Sequence, residues 1–485
     1  MVGITSYGAY VPRYRLQRQA IFAAMGWYAP FTYGIAKGER SVCNYDEDSL
    51  SMAANAGMNC LAGLDSGKVD ALFVASTTLP YIERMNASIV SGALDLKGDV
   101  CASDVTGGLK AGTTAMLSAL DSVASGRAKQ AMACSADCRL GKPGSALEHL
   151  FGDGAAAILF GSENVIAEFL GSHSVSYDFA DQRRMNGDKF NMMWEERWVR
   201  DAGVSKIIPE AVMGAAKKLG INPTEIAKLV IGIGADMSAF GKKLGLTPEQ
   251  IQLPLAATVG DCGSAQAGIM LAAALEDAKP GDKIVLVGYG SGADVLLFQV
   301  TDAIKQLPAR RAVKAALANR KELTSYEKYM VWRGIQPLEV GIRGEAPAAT
   351  ALSALGRDRR VVLGLVGSKC KACGTPQYPP QRICVRPDCQ KVDEMEPYRF
   401  AGLTGKLFTF TGDNLAFTFD PPAIYGLIDF EGGGRLWLDF TDVDIKDMKV
   451  DMPVEVTFRL KYTDEGRSIC GYVWKALPAA GKEAN

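Results

Sequence analysis

Apolar positions along the first 300 residues alternate between short unbroken runs and stretches with helical spacing. Runs such as ALFVAST (71–77) and KIVLVGYG (283–290) read as buried strands, and the stretches between them as helices, which together predict α/β layers. The order repeats. LSMAANAGMNCLAGLDSGKVDALFVAST (50–77) and SKIIPEAVMGAAKKLGINPTEIAKLVIGIGAD (205–236) both run helix, turn, buried strand. AGTTAMLSALDSVASGRAKQAMACSAD (111–137) likewise matches AGIMLAAALEDAKPGDKIVLVGYG (267–290). Each half closes with a glycine turn into a strand, FGDGAAAILFG (151–161) and GYGSGADVLLFQV (288–300). Two copies of one unit, back to back, are expected. Residues 341–364 mix Pro, Gly and Ala and read as a linker. From Phe400 onward the pattern becomes period-two, in GKLFTFTG, AIYGLIDFEGGGRLWLDF, VEVTFRLKY and ICGYVWKAL, which predicts a small closed barrel of five or six strands.

One stretch in the first copy carries chemistry. VCASDVTGGLKAGTTAML (100–117) is a strand end, a Gly-Gly break and a helix of small residues. Such a turn gathers backbone N–H groups and a helix N-terminus in one place, where a developing negative charge can be held.

The chain of 485 residues is too long for one core, so two or three domains are expected. Lys plus Arg total 53 against 54 Asp plus Glu, a balance that gives no field to steer nucleic acid or an anionic membrane. No apolar run is long enough to span a bilayer, and no charged leader precedes an apolar block, so a cytoplasmic protein is expected. Seven of the 11 cysteines are scattered, which reads as a reduced protein. The other four, Cys370, Cys373, Cys384 and Cys389, cluster at spacings that can place four thiolates around one Zn²⁺. A ribbon of that size has little core to fold without the metal.

The segments VGITSYGAYVPRYR, GERSVCNYDEDSLSMA, LKAGTTAM, KPGDKIVLVGYGSGA and SYEKYMVWRG, spread over roughly the first 340 residues, resemble archaeal-type hydroxymethylglutaryl-CoA synthase of the thiolase superfamily. The resemblance implies a duplicated five-layer αβαβα fold, with halves at 1–165 and 166–340. The ribbon (365–395) and barrel (396–485) resemble the zinc-ribbon/OB-fold family that accompanies thiolase-fold enzymes acting on acyl-CoA. In the resembled system that protein is a separate chain that helps hold CoA and bridges partner enzymes, whereas here it is fused, which argues for a fixed stoichiometry. The superfamily pairs its catalytic halves, implying a homodimer or a dimer of dimers.

The resemblance also implies a catalytic set, and this chain departs from it at each position. Leu109 stands where the family has its nucleophilic cysteine, and Cys101 lies back in the preceding strand. Ala235 and Asp236 stand where the histidine should follow the second-half strand, Asp261 in VGDCGS stands at the asparagine, and Thr77 stands at the synthase glutamate, with Glu83 the only carboxylate nearby. A leucine cannot be acylated, so the four changes argue against Claisen condensation through an acyl-cysteine. What remains is an oxyanion pocket of Gly107, Gly108, Leu109 and Gly290, able to polarise a thioester carbonyl and hold an enolate. Aldol or retro-aldol chemistry on a β-hydroxyacyl-CoA needs an enolate and no acyl-enzyme, and a branch of thiolase-fold aldolases paired with a ribbon/OB partner also lacks the nucleophile.

Asp236, Asp261 and Tyr289 are the candidate bases. The competing reading of each is structural: a turn or cap for Asp236, a helix N-cap for Asp261, core packing for Tyr289. His149 reads as structural and Lys110 as paired or solvated. The segment 174–203, rich in Trp, Met, Phe and Arg, is either a cap over the pocket or a contact surface. Two other functions stay open: a non-catalytic scaffold that shuttles CoA thioesters for an active partner, and a condensing enzyme of the synthase type.

Overall fold

The computed structural model describes residues 1–340 and 349–479. The chain divides into two compact units, one of Met1–Cys43, Met52–Ser91 and Leu96–Tyr329, the other of Asn44–Ser51, Gly92–Asp95 and Met330–Asn485. Most of both predicted halves falls in the first unit, while residues 44–51, 92–95 and 330–340 fall in the second.

Nine strands form the first unit's main sheet: β1 (Gly3–Tyr10), β2 (Ala71–Ala75), β3 (Cys101–Val105), β4 (Gln130–Asp137), β5 (Gly154–Gly161), β6 (Ala167–Ser176), β7 (Ile226–Gly232), β8 (Lys283–Tyr289) and β9 (Gly292–Val300). Their order is β7-β8-β9-β6-β1-β5-β4-β2-β3. The pairing repeats as the sequence does. β2 runs parallel to β4 and β4 antiparallel to β5, just as β7 runs parallel to β8 and β8 antiparallel to β9. The halves join edge to edge, where Gly3 and Ile4 of β1 pair with Glu168 and Ala167 of β6. This short ladder closes two strand edges that would otherwise stay open, and it makes the two layers of the duplicated fold one continuous sheet.

The layering comes from helices of unlike composition. α1 (Ala111–Ala124) and α3 (Gln266–Leu275) are rich in Ala with Gly, Leu and Met and are buried over most of their length, in one core with inward side chains of both half-sheets. Small residues let α1 approach the turn that leads into α3 closely: a Cβ on Gly112 would lie 2.2 Å from the Ser264 carbonyl oxygen. α2 (Ser205–Leu219) is amphipathic and packs Ile207, Ile208, Ala211 and Val212 against side chains of β7, β8 and β9 in a second core.

In the second unit, part of the expected linker is helical, at Leu352–Arg357 and Arg359–Gly364, and residues 341–348 lie outside the described ones. The ribbon is three short strands, Val366–Cys370 between Pro376–Gln377 and Met395–Arg399. The barrel has five strands: β10 (Gly405–Asp413), β11 (Ala423–Phe430), β12 (Arg435–Asp439), β13 (Pro453–Asp464) and β14 (Ile469–Pro478), ordered β12-β11-β10-β13-β14. A bridge between Phe440 and Ala476 links the two outer strands. Phe458, stacked on Tyr472 at 5.3 Å, and Trp474 are buried in its core.

Candidate active site

The elbow between β3 and α1 is set by its glycines. Gly107 has φ +93°, a conformation that costs other residues strain, and it turns the chain so that α1 starts at Ala111. Lys110 does not cap the helix with its side chain. Its ammonium instead donates to Asp294 Oδ1 (2.9 Å), and Thr113 Oγ1 donates to Asp294 Oδ2 (2.9 Å). Asp294 is fully enclosed and also accepts from Ser174 Oγ, so a β9 carboxylate pins the first turn of α1.

The second glycine loop presses on the elbow. Gly290 has φ +153°, and a Cβ there would sit 2.8 Å from the amide nitrogens of both Leu109 and Lys110. Gly107, Gly108, Leu109 and Gly290 therefore meet, and they line one wall of a cavity of about 400 Å³. Thr77, Thr106 and Ser291 complete that wall, and the other is the segment from Asp178 to Arg184 together with Asn191. The segment 174–203 thus caps this pocket, and it is held partly by itself, with Phe179 stacked on Trp198 at 4.2 Å. The lining residues include no cysteine and no histidine. Cys101 is exposed at the start of β3, and His149 is buried away from the cavity, where burial and the Arg18 and Arg40 charges depress its pKa to about 4.

The three expected bases separate. Asp236 is exposed and accepts from Ser238 N (2.8 Å) and Ser238 Oγ (2.5 Å), bonds that hold its carboxyl below the usual range and tie the turn before the short helix Ser238–Lys243. Asp261 is not among the lining residues. Its Oδ1 accepts from Arg139 Nη2 (2.8 Å) and Gly263 N (2.9 Å), and the buried Arg139 lies over the Phe151 ring and donates to Gln182 in the cavity wall. Tyr289 is buried behind the wall. Its hydroxyl lies beside the Asp181 carboxyl without reaching hydrogen-bond geometry, and burial together with that carboxyl's charge pushes the phenol well above its ordinary range.

Asp181 is the residue that sequence reasoning missed. It lines the cavity yet is only 4% exposed, and burial raises its carboxyl pKa, opposed by the Gln182 amide (2.6 Å), the Tyr289 hydroxyl and the Arg139 charge. A buried carboxyl of raised basicity in a cleft is a proton-transfer group in kind. Asn191, 7% exposed, lines the same cavity with its side-chain oxygen lacking any partner. Asp137, wholly buried, accepts from Ser76, Thr77 and Thr78 on one oxygen and from Ser264 N on the other, fixing the Thr77 loop to the chain leading into α3. The only signal for Asp181 and Asn191 was the composition of 174–203, which marks a cap without saying which carboxyl turns inward.

In the ribbon, the Sγ atoms of Cys370, Cys373, Cys384 and Cys389 all lie within 4.8 Å of one another, with Cys373 to Cys384 at 3.5 Å and Cys370 to Cys389 at 3.8 Å. Four thiolates around a tetrahedral Zn²⁺ at about 2.3 Å are separated by about 3.8 Å, so the set fits a structural zinc. The x4 spacing of the second pair does not prevent convergence.

Residues 358–396 match the family described as "ChsH2, rubredoxin-like zinc ribbon domain", and residues 398–459 match "ChsH2, C-terminal OB-fold domain". The hydroxymethylglutaryl-CoA synthase of Methanopyrus kandleri is 32% identical over 336 residues, covering 68% of this chain and 96% of that protein. The synthase of Methanocaldococcus jannaschii is 32% identical over 343 residues, covering 69% and 99%. Among solved structures, an HMG-CoA synthase complexed with CoA superposes with a TM-score of 0.61 at 18% identity, covering 72% of this chain and 94% of that one. The 3-oxoacyl-(acyl carrier protein) synthase III of Pseudomonas aeruginosa gives a TM-score of 0.55 at 20% identity, covering 62% and 98%.

Proposed function

The chain belongs to the hydroxymethylglutaryl-CoA synthase family, extended by a zinc ribbon and an OB-fold barrel, and from that premise we propose that it is an acyl-CoA carbon–carbon lyase that cleaves, or in reverse forms, a β-hydroxyacyl-CoA. One observation carries the reading. The elbow keeps its glycines and its helix N-terminus, while Leu109 occupies its tip and no thiol or imidazole lines the cavity.

In this mechanism the thioester oxygen lies at the elbow, against the Leu109 amide and the start of α1, where positive partial charge stabilises an enolate. Asp181 removes the β-hydroxyl proton, and the O–H electron pair becomes the C=O of the departing aldehyde or ketone. The Cα–Cβ bond breaks and its pair passes to the thioester as an enolate. Protonation of Cα by the Asp181 carboxyl then gives the shortened acyl-CoA and restores the carboxylate. No oxidant or metal enters the balance. Tyr289, beside Asp181, tunes that carboxyl, and Arg139 holds the wall through Gln182. The ribbon's zinc is structural. The same reading places the enzyme in the cytoplasm as a homodimer or dimer of dimers, with domain boundaries near 165, 340, 364 and 395.

The test is incubation of the full chain with a panel of 3-hydroxyacyl-CoA thioesters, following the shortened acyl-CoA and the trapped carbonyl product. Turnover without a mass adduct on the intact chain supports the lyase. A cysteine acylated by acetyl-CoA would restore the condensing reading, and tight thioester binding without turnover across the panel would leave the chain a CoA-carrying scaffold.

A further inference from the structure

Gln182 holds a hydrogen-bond donor that the protein leaves unused. One branch of its side-chain amide lies 2.6 Å from Arg139 Nη1. A guanidinium has no acceptor, so that branch is Oε1 and the other is the NH2 group. Arg139 is itself held: it is 1% exposed, donates to Asp261 Oδ1 (2.8 Å) and the Asp261 carbonyl (3.1 Å), and lies over the Phe151 ring at 4.0 Å. The Gln182 backbone is fixed as well, by its pairing with Met193 and by its N–H on Asp181 Oδ1. Yet Gln182 is half-buried and lines the cavity. Its Nε2 meets no acceptor among the described residues and, unlike Arg139 Nε, is not sealed from solvent, so a ligand can reach it.

Asp181 stands on the same wall, one residue away. Arg139 is close to both, donating to Gln182 and placing its charge beside the Asp181 carboxyl. The two groups are opposite in kind. An ionised carboxylate only accepts hydrogen bonds and the amide nitrogen only donates them, whereas a hydroxyl has one proton to give and lone pairs to receive. Resting on the lyase reading, which gives the β-hydroxyl proton to Asp181, we propose that Gln182 is a second catalytic residue, donating from Nε2 to the β-oxygen. Negative charge builds on that oxygen as its proton leaves for Asp181, before the electron pair closes the C=O and the Cα–Cβ pair passes to the thioester. A fixed N–H aimed at the oxygen lowers that barrier. In the reverse direction the same N–H polarises the incoming aldehyde or ketone. Gln182 transfers no proton, so the balance of the reaction is unchanged.

The test uses two variants of the full chain. Gln182→Glu keeps an oxygen for Arg139 and removes the donor, whereas Gln182→Met removes both. Rates on the 3-hydroxyacyl-CoA thioester that the wild type cleaves best are read on the alkaline plateau, where the introduced carboxyl and Asp181 are both ionised. Both variants should lose about 100-fold in kcat, as for a lost oxyanion donor, with KM changed far less. Wild-type kcat in Gln182→Glu overturns the proposal, because Gln182 would then only anchor the wall. A loss confined to KM overturns it too, since the amide would bind ground and transition states alike. Melting curves identify a variant that fails to fold, and Gln182→Glu, which keeps Arg139 paired, carries the comparison if Gln182→Met does. If the wild type cleaves no thioester of the panel, the lyase reading fails and binding alone tests the contact. The probes are 3-oxobutanoyl-CoA, whose β-oxygen only accepts, and butanoyl-CoA, which has none. A preference of about tenfold for the 3-oxo thioester, lost in Gln182→Met, upholds a donor at the β-oxygen. Equal dissociation constants on the wild type overturn it.

Discussion

At Gly290 a methyl group would decide whether the elbow works. Its φ of +153° strains any other residue, and the added carbon would lie 2.8 Å from the Leu109 and Lys110 nitrogens, which are backbone and cannot swing away. Gly290→Ala should cost about 100-fold or more in kcat, comparable to losing an oxyanion donor, along with about 1–3 kcal/mol of stability. Steady-state rates and thermal melts on the same preparation would check both. Asp181→Asn separates activity from stability. Burial raises the folded pKa above the unfolded one, so the carboxylate form destabilises the fold at neutral pH, and the wild type regains that stability as pH falls through the raised value toward 3.8. The variant should lose turnover yet melt higher than wild type at neutral pH, with the gap closing in acid. The wild-type rate should fall on the acid side through the same ionisation, since the base must be charged to accept a proton.

The ribbon shows what an element of this size demands. Its strands of five, two and five residues surround almost no apolar core, and Cys370 and Cys384 are its most enclosed side chains near the thiol cluster. Folding energy must come from the metal. The purified chain should contain one zinc, and Cys384→Ser or a strong chelator should remove it and expose the ribbon to protease, as metal analysis and limited proteolysis would show. The four-residue gap between Cys384 and Cys389 is taken up locally, by the Cys389 amide bonding back to the Arg386 carbonyl. α1 and α3 teach a related lesson. Their small-residue composition marks them as buried, and the close approach at Gly112 shows why larger residues would not serve.

At the scale of the molecule, the second unit is assembled from distant parts of the chain, and a buried ionic cluster ties them. Arg459, fully buried, bonds Asp46 (3.2 Å), Glu47 (2.7 Å) and Asp442 (2.6 Å), and Lys475 adds a bond to Asp46 at 2.9 Å. Burial pushes the Asp46 carboxyl up, and the Lys475 and Arg459 charges more than reverse it, leaving it below its ordinary value. Its contribution is therefore present above pH 3.8 and lost only as pH falls through the lowered value. Arg459→Met leaves three carboxylates with one remaining cation and should cost about 3–5 kcal/mol, read as a lower denaturant midpoint for the second unit.

Duplication, the elbow and the thiol cluster were legible in the sequence because each is a local or periodic signal. A repeat of strand and helix patterns fixes equivalent pairings in β2-β4-β5 and β7-β8-β9, Gly107 and Gly108 announce a turn wherever they fall, and closely spaced cysteines need little long-range geometry to converge. The proposed base was not legible. Asp236 is tied into its own turn by Ser238, and Asp261 is taken up by Gly263 and the distant Arg139, while Asp181 lies in an irregular segment with no periodicity to give its direction. Its burial, its raised basicity and its place beside Tyr289 arise from packing between residues more than a hundred positions apart, and only the tertiary structure decides which of many carboxyls is taken out of water.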